Sequence, residues 1–218
     1  VGYGAFRAIR NAGIATILAV SPVLADPATV LALGDSLTQG YGLPPDDGFV
    51  PQLQRWLEAE GADAILVNGG VSGDTTAGGL SRIGWSLTDD VDAVIVALGG
   101  NDMLRGIDPA VARANLDGIL SEITARGLPI LLVGMDAPPN YGADYETAFD
   151  AMYPELAEKF GALYEPDFLG ALAALDDREA TLRDYMQGDA IHPNAKGVAL
   201  IVGALGPRVQ ELLDRVGE

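Results

Sequence analysis

Ser36 stands in the stretch LALGDSLTQG (residues 31–40), directly after an apolar run that breaks at Gly34. A serine hydroxyl is a weak nucleophile until a base takes its proton. His192, in DAIHPN (189–194), is the chain's single histidine, and an imidazole can do this near neutral pH. The ring must be held in one tautomer, which a carboxylate on Nδ1–H achieves, and Asp189 lies three residues away. One tight turn can set that carboxylate behind the ring and aim Nε2 at Ser36. Attack on a carbonyl carbon builds negative charge on oxygen, which needs donors already in position. The sequence offers three: the Ser36 N–H, the Gly73 N–H in VSGDTT, and the Asn101 side-chain amide in GGND. At Gly73 no side chain keeps a substrate from the backbone. Asp35 and Asp102 flank these residues and are given structural roles.

Each piece alone has a plainer reading. A serine after a strand often caps a helix, and Gly73 and Asn101 are ordinary turn residues. A lone histidine is commonly structural. Its being the only one also rules out a multi-histidine metal site, and the absence of cysteine rules out thiolate chemistry, disulfides and cysteine-held metals. No metal and no cofactor is expected.

These residues need a scaffold that carries them to one place. TVLAL (29–33), AILVN (64–68), AVIVAL (93–98), PILLVG (129–134) and the weaker ALYEP (162–166) read as strands. AVIVAL is apolar at every position, as a parallel strand covered on both faces requires. Between them lie segments of helical period: Phe49, Leu53, Trp56 and Leu57, ending near Gly61; Leu80, Ile83 and Leu87; and Val111, Leu116, Ile119, Leu120 and Ile123. Asp108-Pro109 opens the third and Gly127 closes it. Two more follow, Tyr145 to Phe160 and Val198 to Leu212, with bends expected at Pro154 and Pro207. Strand–helix alternation along the whole chain predicts a three-layer α/β/α sandwich around a parallel sheet. In such sheets ligands sit beyond the carboxyl ends of the strands. Ser36, Gly73 and Asn101 follow the first three strands, and the Asp189–His192 turn precedes the last helix.

The bulk numbers narrow the partners. The chain has 218 residues, 49% hydrophobic, with a formal net charge of −18. No basic patch is available for nucleic acid, and strong acidity discourages contact with anionic lipid. The N-terminus carries Arg7 and Arg10, then AGIATILAV, then small residues up to Ala25. That pattern describes a secretory signal, too short and too rich in glycine and alanine for stable membrane insertion. The expectation is a signal over 1–25, one domain over 26–218, and a periplasmic or secreted protein. Oligomeric state is not legible.

Competing motifs are missing: there is no G-x-S-x-G elbow, no S-x-x-K, no Walker loop and no G-x-G-x-x-G after the first strand. The blocks GDSLTQGYG, VSGDTTAGGL, GGNDMLRG and DAIHPN resemble those of the SGNH/GDSL hydrolase family, in its order, across residues 29–215. The segment PPNYGADYETAFDAMYPELAEKF is similar to the thioesterase I/protease I/lysophospholipase and arylesterase branch. The resemblance implies a flavodoxin-like five-stranded sheet of order 2-1-3-4-5. It implies Ser36 as nucleophile, His192 as base and acid, and Asp189 as the orienting carboxylate. Ser36, Gly73 and Asn101 would form the oxyanion hole. The implied substrate is a small acyl ester or thioester, with lysophospholipids among the candidates. The branch suggests that the acyl chain lies along Met103, Leu104, Ile107, Pro138 and Tyr141. Two other readings remain open: an esterase of acetylated sugars, and a binding domain without activity.

Overall fold

The computed structural model describes residues 1–2 and 26–217. Apart from Val1 and Gly2, the segment read as a secretory signal lies outside the described residues. Strands β1 (Ala28–Gly34), β2 (Ala64–Gly70), β3 (Ala93–Ala97), β4 (Ile130–Val133) and β5 (Leu163–Glu165) form one parallel sheet of order β2-β1-β3-β4-β5. This is the expected flavodoxin-like order.

Strand alternation explains the three layers. Leu31, Leu33, Val94, Val96, Ile130 and Leu132 face one side of the sheet, and Val30, Ala32, Ile95, Leu131 and Val133 face the other. On the first side the layer is made by α3 (Thr76–Ser86), α5 (Pro109–Ala125) and α6 (Ala143–Phe160), through Ile83, Leu116, Ile119, Phe149 and Leu156. On the second side it is made by α2 (Phe49–Ala59) and α9 (Ala195–Asp214), through Phe49, Leu53, Leu57, Ile201, Leu205 and Val209. Burial on both faces is why these strands are apolar throughout. Asp108 caps α5 by accepting from the Ala110 N–H at 2.9 Å. Pro154 and Pro207 stand inside α6 and α9, which continue unbroken through them. The expected bends therefore do not end either helix; packing of the apolar stripes on both sides of each proline outweighs the lost N–H bond.

Four short helices were not legible in the sequence. They are α1 (Ser36–Gln39), α4 (Gly100–Leu104), α7 (Gly170–Ala173) and α8 (Arg178–Tyr185). Each is one or two turns long, too short for a periodic stripe, and all gather near the carboxyl ends of the strands.

Gly34 answers why β1 breaks where it does. A Cβ there would come within 2.0 Å of Thr38 Oγ1 and 3.0 Å of the Ala97 carbonyl. Only glycine lets α1 fold back so closely over the strand end.

Asp102 is a buried strut between α4 and α3. Its carboxylate accepts from the Thr76 N–H (2.8 Å) and the Thr76 hydroxyl (2.6 Å), and it is fully buried. Asp102→Ala strands both donors, which is expected to cost about 2–4 kcal/mol. The check is a lower urea midpoint at unchanged m-value; a midpoint equal to wild type would contradict it. Asp102→Asn, which keeps one acceptor, should fall between.

Candidate active site

The register brings three strand ends level: Gly34 of β1 pairs with Gly70 of β2 on one side and Ala97 of β3 on the other. The loops leaving them carry Ser36, Gly73 and Asn101 to one edge of the sheet, at the β1/β3 switch of strand order. Asp35 caps the turn that presents Ser36. Its Oδ1 accepts from the Leu37 N–H at 3.0 Å, and its Oδ2 accepts from the Asn101 amide at 3.1 Å. Asp35 thus ties the first loop to the third and uses one of the two Asn101 amide hydrogens, leaving the second to point elsewhere. Burial pushes its carboxyl above the usual range, opposed by the Leu37 N–H, the Asn101 amide and His192.

Gly73 is the third residue of a turn closed by the Asp74 N–H on the Val71 carbonyl at 3.0 Å, with φ +78°. A type II turn demands that left-handed position, and glycine supplies it without strain. Arg105 holds the Gly73 carbonyl at 2.7 Å. Arg82, nearly buried, donates to Asp74 at 2.8 Å and to the Gly34 carbonyl at 2.9 Å, pinning this loop to the end of β1.

The Asp189–His192 turn is built by one carboxylate used twice. Asp189 Oδ1 accepts the N–H groups of Ile191 and His192, both at 3.0 Å. Its Oδ2 meets His192 Nδ1 at 2.6 Å. The turn forces Ala190 to φ +56°, a left-handed conformation that costs a non-glycine residue ~1–2 kcal/mol. The Gln187 side chain donates to the carbonyls of Tyr41 (2.8 Å) and Pro193 (3.0 Å), fastening the histidine turn to the loop that follows Ser36. The Tyr41 ring lies 4.8 Å from the imidazole, centroid to centroid.

The outcome is a continuous chain of contacts: Asp189 Oδ2 to His192 Nδ1 at 2.6 Å, and His192 Nε2 to Ser36 Oγ at 2.9 Å. An imidazole so placed can take a hydroxyl proton while the carboxylate fixes its tautomer. Backbone N–H and ring donors hold the Asp189 carboxyl down at about 2, the His192 N–H first among them, then the His192 ring and the Ile191 N–H. The group stays charged across all ordinary pH.

Residues 32–200 match the GDSL-like Lipase/Acylhydrolase family. The chain belongs to this family. Among similar proteins, this GDSL hydrolase is 37% identical over 186 residues to Esterase TesA of Pseudomonas aeruginosa, spanning 85% of this chain and 89% of that one. It is 34% identical over 189 residues to Thioesterase 1/protease 1/lysophospholipase L1 of Escherichia coli K12, covering 85% of each chain. The crystal structure of AlinE4, an SGNH-hydrolase family esterase, superposes with a TM-score of 0.70 at 46% identity, over 87% of this chain and 98% of that one. This protein is accordingly a serine hydrolase.

This candidate site opens on a cleft of about 420 Å³. Ser36, Gly73, Asn101 and His192 line it together, with an apolar wall of Leu37, Met103, Leu104, Met135, Leu169, Met186 and Ile191. Three of the chain's four methionines are in that wall. Methionine's unbranched, polarisable side chain adapts to varied apolar ligands. Of the residues expected along the acyl chain, Met103 and Leu104 line the cleft, whereas Ile107, Pro138 and Tyr141 are not part of its lining. The Tyr141 hydroxyl lies 3.4 Å from the Leu104 carbonyl. The Ile107 carbonyl accepts from the Tyr145 hydroxyl of α6 at 3.0 Å. Met135, Leu169, Met186, Tyr41, Arg82 and Gln187 escaped the sequence reading. The clustering of methionines just after strands and before the histidine turn was the available signal for the wall.

Among the described residues no helix is long and apolar enough to cross a membrane.

Proposed function

We propose that this protein hydrolyses carboxylic esters and thioesters of small acyl groups through an acyl-enzyme formed on Ser36. The observation that carries this reading is the Asp189–His192–Ser36 contact chain, whose serine and histidine line a cleft with an apolar wall. His192 takes the Ser36 proton as Oγ attacks the carbonyl carbon. The oxyanion that forms meets the Ser36 N–H, the Gly73 N–H and the free hydrogen of the Asn101 amide. His192 returns the proton to the leaving oxygen or sulfur, then activates water to release the acid. The acyl chain lies against Met103 and Leu104, beside the oxyanion donors. No step calls for a metal or cofactor.

Wall chemistry favours this over the acetylated-sugar reading. A sugar ring needs polar partners along its length, and beyond the candidate catalytic groups the cleft presents chiefly leucine, isoleucine and methionine side chains. The experiment is hydrolysis of acetyl, hexanoyl and decanoyl p-nitrophenyl esters and a matching acyl thioester beside acetyl-xylan. Turnover of the acyl series supports the proposal. Activity on the glycan alone overturns it in favour of the sugar esterase, and no activity on any of them favours a binding domain.

Two further outcomes are expected. Asn101→Ala removes one oxyanion donor and should lower kcat by ~10²–10³-fold with little change in KM; steady-state kinetics on p-nitrophenyl butyrate checks this. The pH profile follows from Asp189. Its carboxyl is held at about 2, below the ordinary 3.8, so its contribution to stability is complete above the ordinary value and is lost as pH falls through about 2. Protonation of Asp189 should therefore leave no step in kcat/KM against pH above the ordinary 3.8; a carboxylate step there that Asp189→Asn removes would contradict it.

We also infer that the protein is exported to the periplasm or beyond the cell. The support is the basic, then apolar, then small-residue order over residues 7–25. Fractionation of expressing cells tests it: activity confined to the cytoplasm would overturn it.

A further inference from the structure

A second cavity, about 320 Å³, lies between α7 and α8 and meets the catalytic cleft on two shared side chains, Leu169 and Met186. The remainder of its wall includes Leu172, Leu175 and Leu182, with Arg178 at the start of α8. Leu175 and Leu182 are 37% and 39% exposed, and no residue of α8 is buried. These leucines hold an apolar surface open to water beside a reaction centre, which is how ligand-binding surfaces differ from packing surfaces.

Which part of a substrate would lie there follows from the direction of proton transfer. The tetrahedral carbon on Ser36 Oγ carries the oxyanion, the acyl chain and the leaving atom. The oxyanion is turned toward Gly73 and Asn101. The leaving atom must accept a proton from His192 Nε2, so it sits on the histidine side. His192 is flanked by Ile191, and Met186 is bridged to Pro193, the next residue along. A group departing past His192 therefore passes over Met186, and the next apolar surface beyond Met186 is the α7–α8 cavity.

We propose that this cavity binds the leaving group: the alkyl or aryl portion of an ester's alcohol, or of a thioester's thiol. The inference rests on the ester-hydrolysing reading above. During acylation the Ser36 Oγ–carbon bond forms, the carbon–leaving-atom bond breaks, and the Ser36 proton passes through His192 to the departing alcohol or thiol. During deacylation that group is gone. Occupancy of the cavity accordingly affects acylation and leaves deacylation alone, whereas an acyl-chain site would affect both.

The test uses butyrate esters of methanol, butanol and hexanol, whose leaving groups have similar intrinsic reactivity. It compares wild type with Leu182→Asp and, separately, Leu175→Asp. In the wild type kcat/KM should climb by roughly 10-fold or more from methyl to hexyl, the scale of a few buried methylenes. In each variant the hexyl-to-methyl ratio should collapse toward one. The butyryl-enzyme hydrolysis rate, read from burst kinetics with p-nitrophenyl butyrate, should not move. Ratios equal to wild type in both variants overturn the inference. So does a slowed hydrolysis of the butyryl-enzyme or of a decanoyl-enzyme, which would assign the cavity to the acyl chain. Wild-type protein that hydrolyses none of these esters overturns the esterase reading itself, and this inference with it.

Discussion

Ser36→Ala is expected to lower kcat on p-nitrophenyl butyrate by about 10⁶-fold. The alanine removes the oxygen that His192 Nε2 contacts at 2.9 Å, and with it the covalent route. His192→Ala should cost a similar factor, because the hydroxyl left behind has no base. The double variant should be no worse than either single one, since a nucleophile and its base act as one unit and their losses do not add. Neither change should alter stability greatly. Ser36 and His192 are only half-buried, and the turn around His192 is held by the Asp189, Gln187 and Asn194 hydrogen bonds rather than by the ring. Steady-state rates with circular dichroism for the folded state check this pair. A Ser36→Ala protein with undiminished turnover would end the acyl-enzyme account.

The second large effect belongs to Asp189. Asp189→Asn keeps Oδ1 to accept the Ile191 and His192 N–H groups, so the turn should survive. It replaces Oδ2 by an amide that donates toward Nδ1. The ring must then carry its proton on Nε2, facing Ser36, and cannot act as base. A loss of about 10⁴-fold in kcat is expected. KM should change little, because the carboxylate lies behind the ring and outside the lining of the cleft. Asp189→Ala loses the backbone anchors as well, so it should add a measurable fall in thermal midpoint. Equal midpoints for the two variants would show that the Oδ1 bonds contribute nothing to the turn.

Some of this arrangement is legible in the sequence because its causes are local. AVIVA at 93–97 is apolar on both faces, which only a covered parallel strand needs. Asp108-Pro109 and Gly127 punctuate α5 through capping and a left-handed turn. Asp189 and His192 are three residues apart, so a single turn brings them together. The Ser36 contact spans 156 residues, and only the conjunction of strand-end motifs makes it inferable. What stayed hidden depends on distant chain segments meeting. Nothing in the sequence marks Arg82, which is nearly buried against Gly34 and Asp74. Met135, Leu169 and Met186 come from three separate segments and share a wall only once β4, β5 and α8 are in place. Met103 and Leu104 sit in α4 and line the cleft, whereas Ile107 just beyond that helix, and Pro138 and Tyr141 after β4, are outside its lining. Side-chain direction in a loop has no period to read.

The most direct measurement is the mass of the protein after exposure to an organophosphorus ester, located by peptide mapping. Such a reagent bonds covalently to a serine only when a neighbouring base has activated it. The account predicts one added phosphoryl group on the peptide carrying Ser36 in wild type, and none on that peptide in Ser36→Ala or His192→Ala. An unmodified wild-type protein, or label on Ser36 that persists without His192, would contradict it.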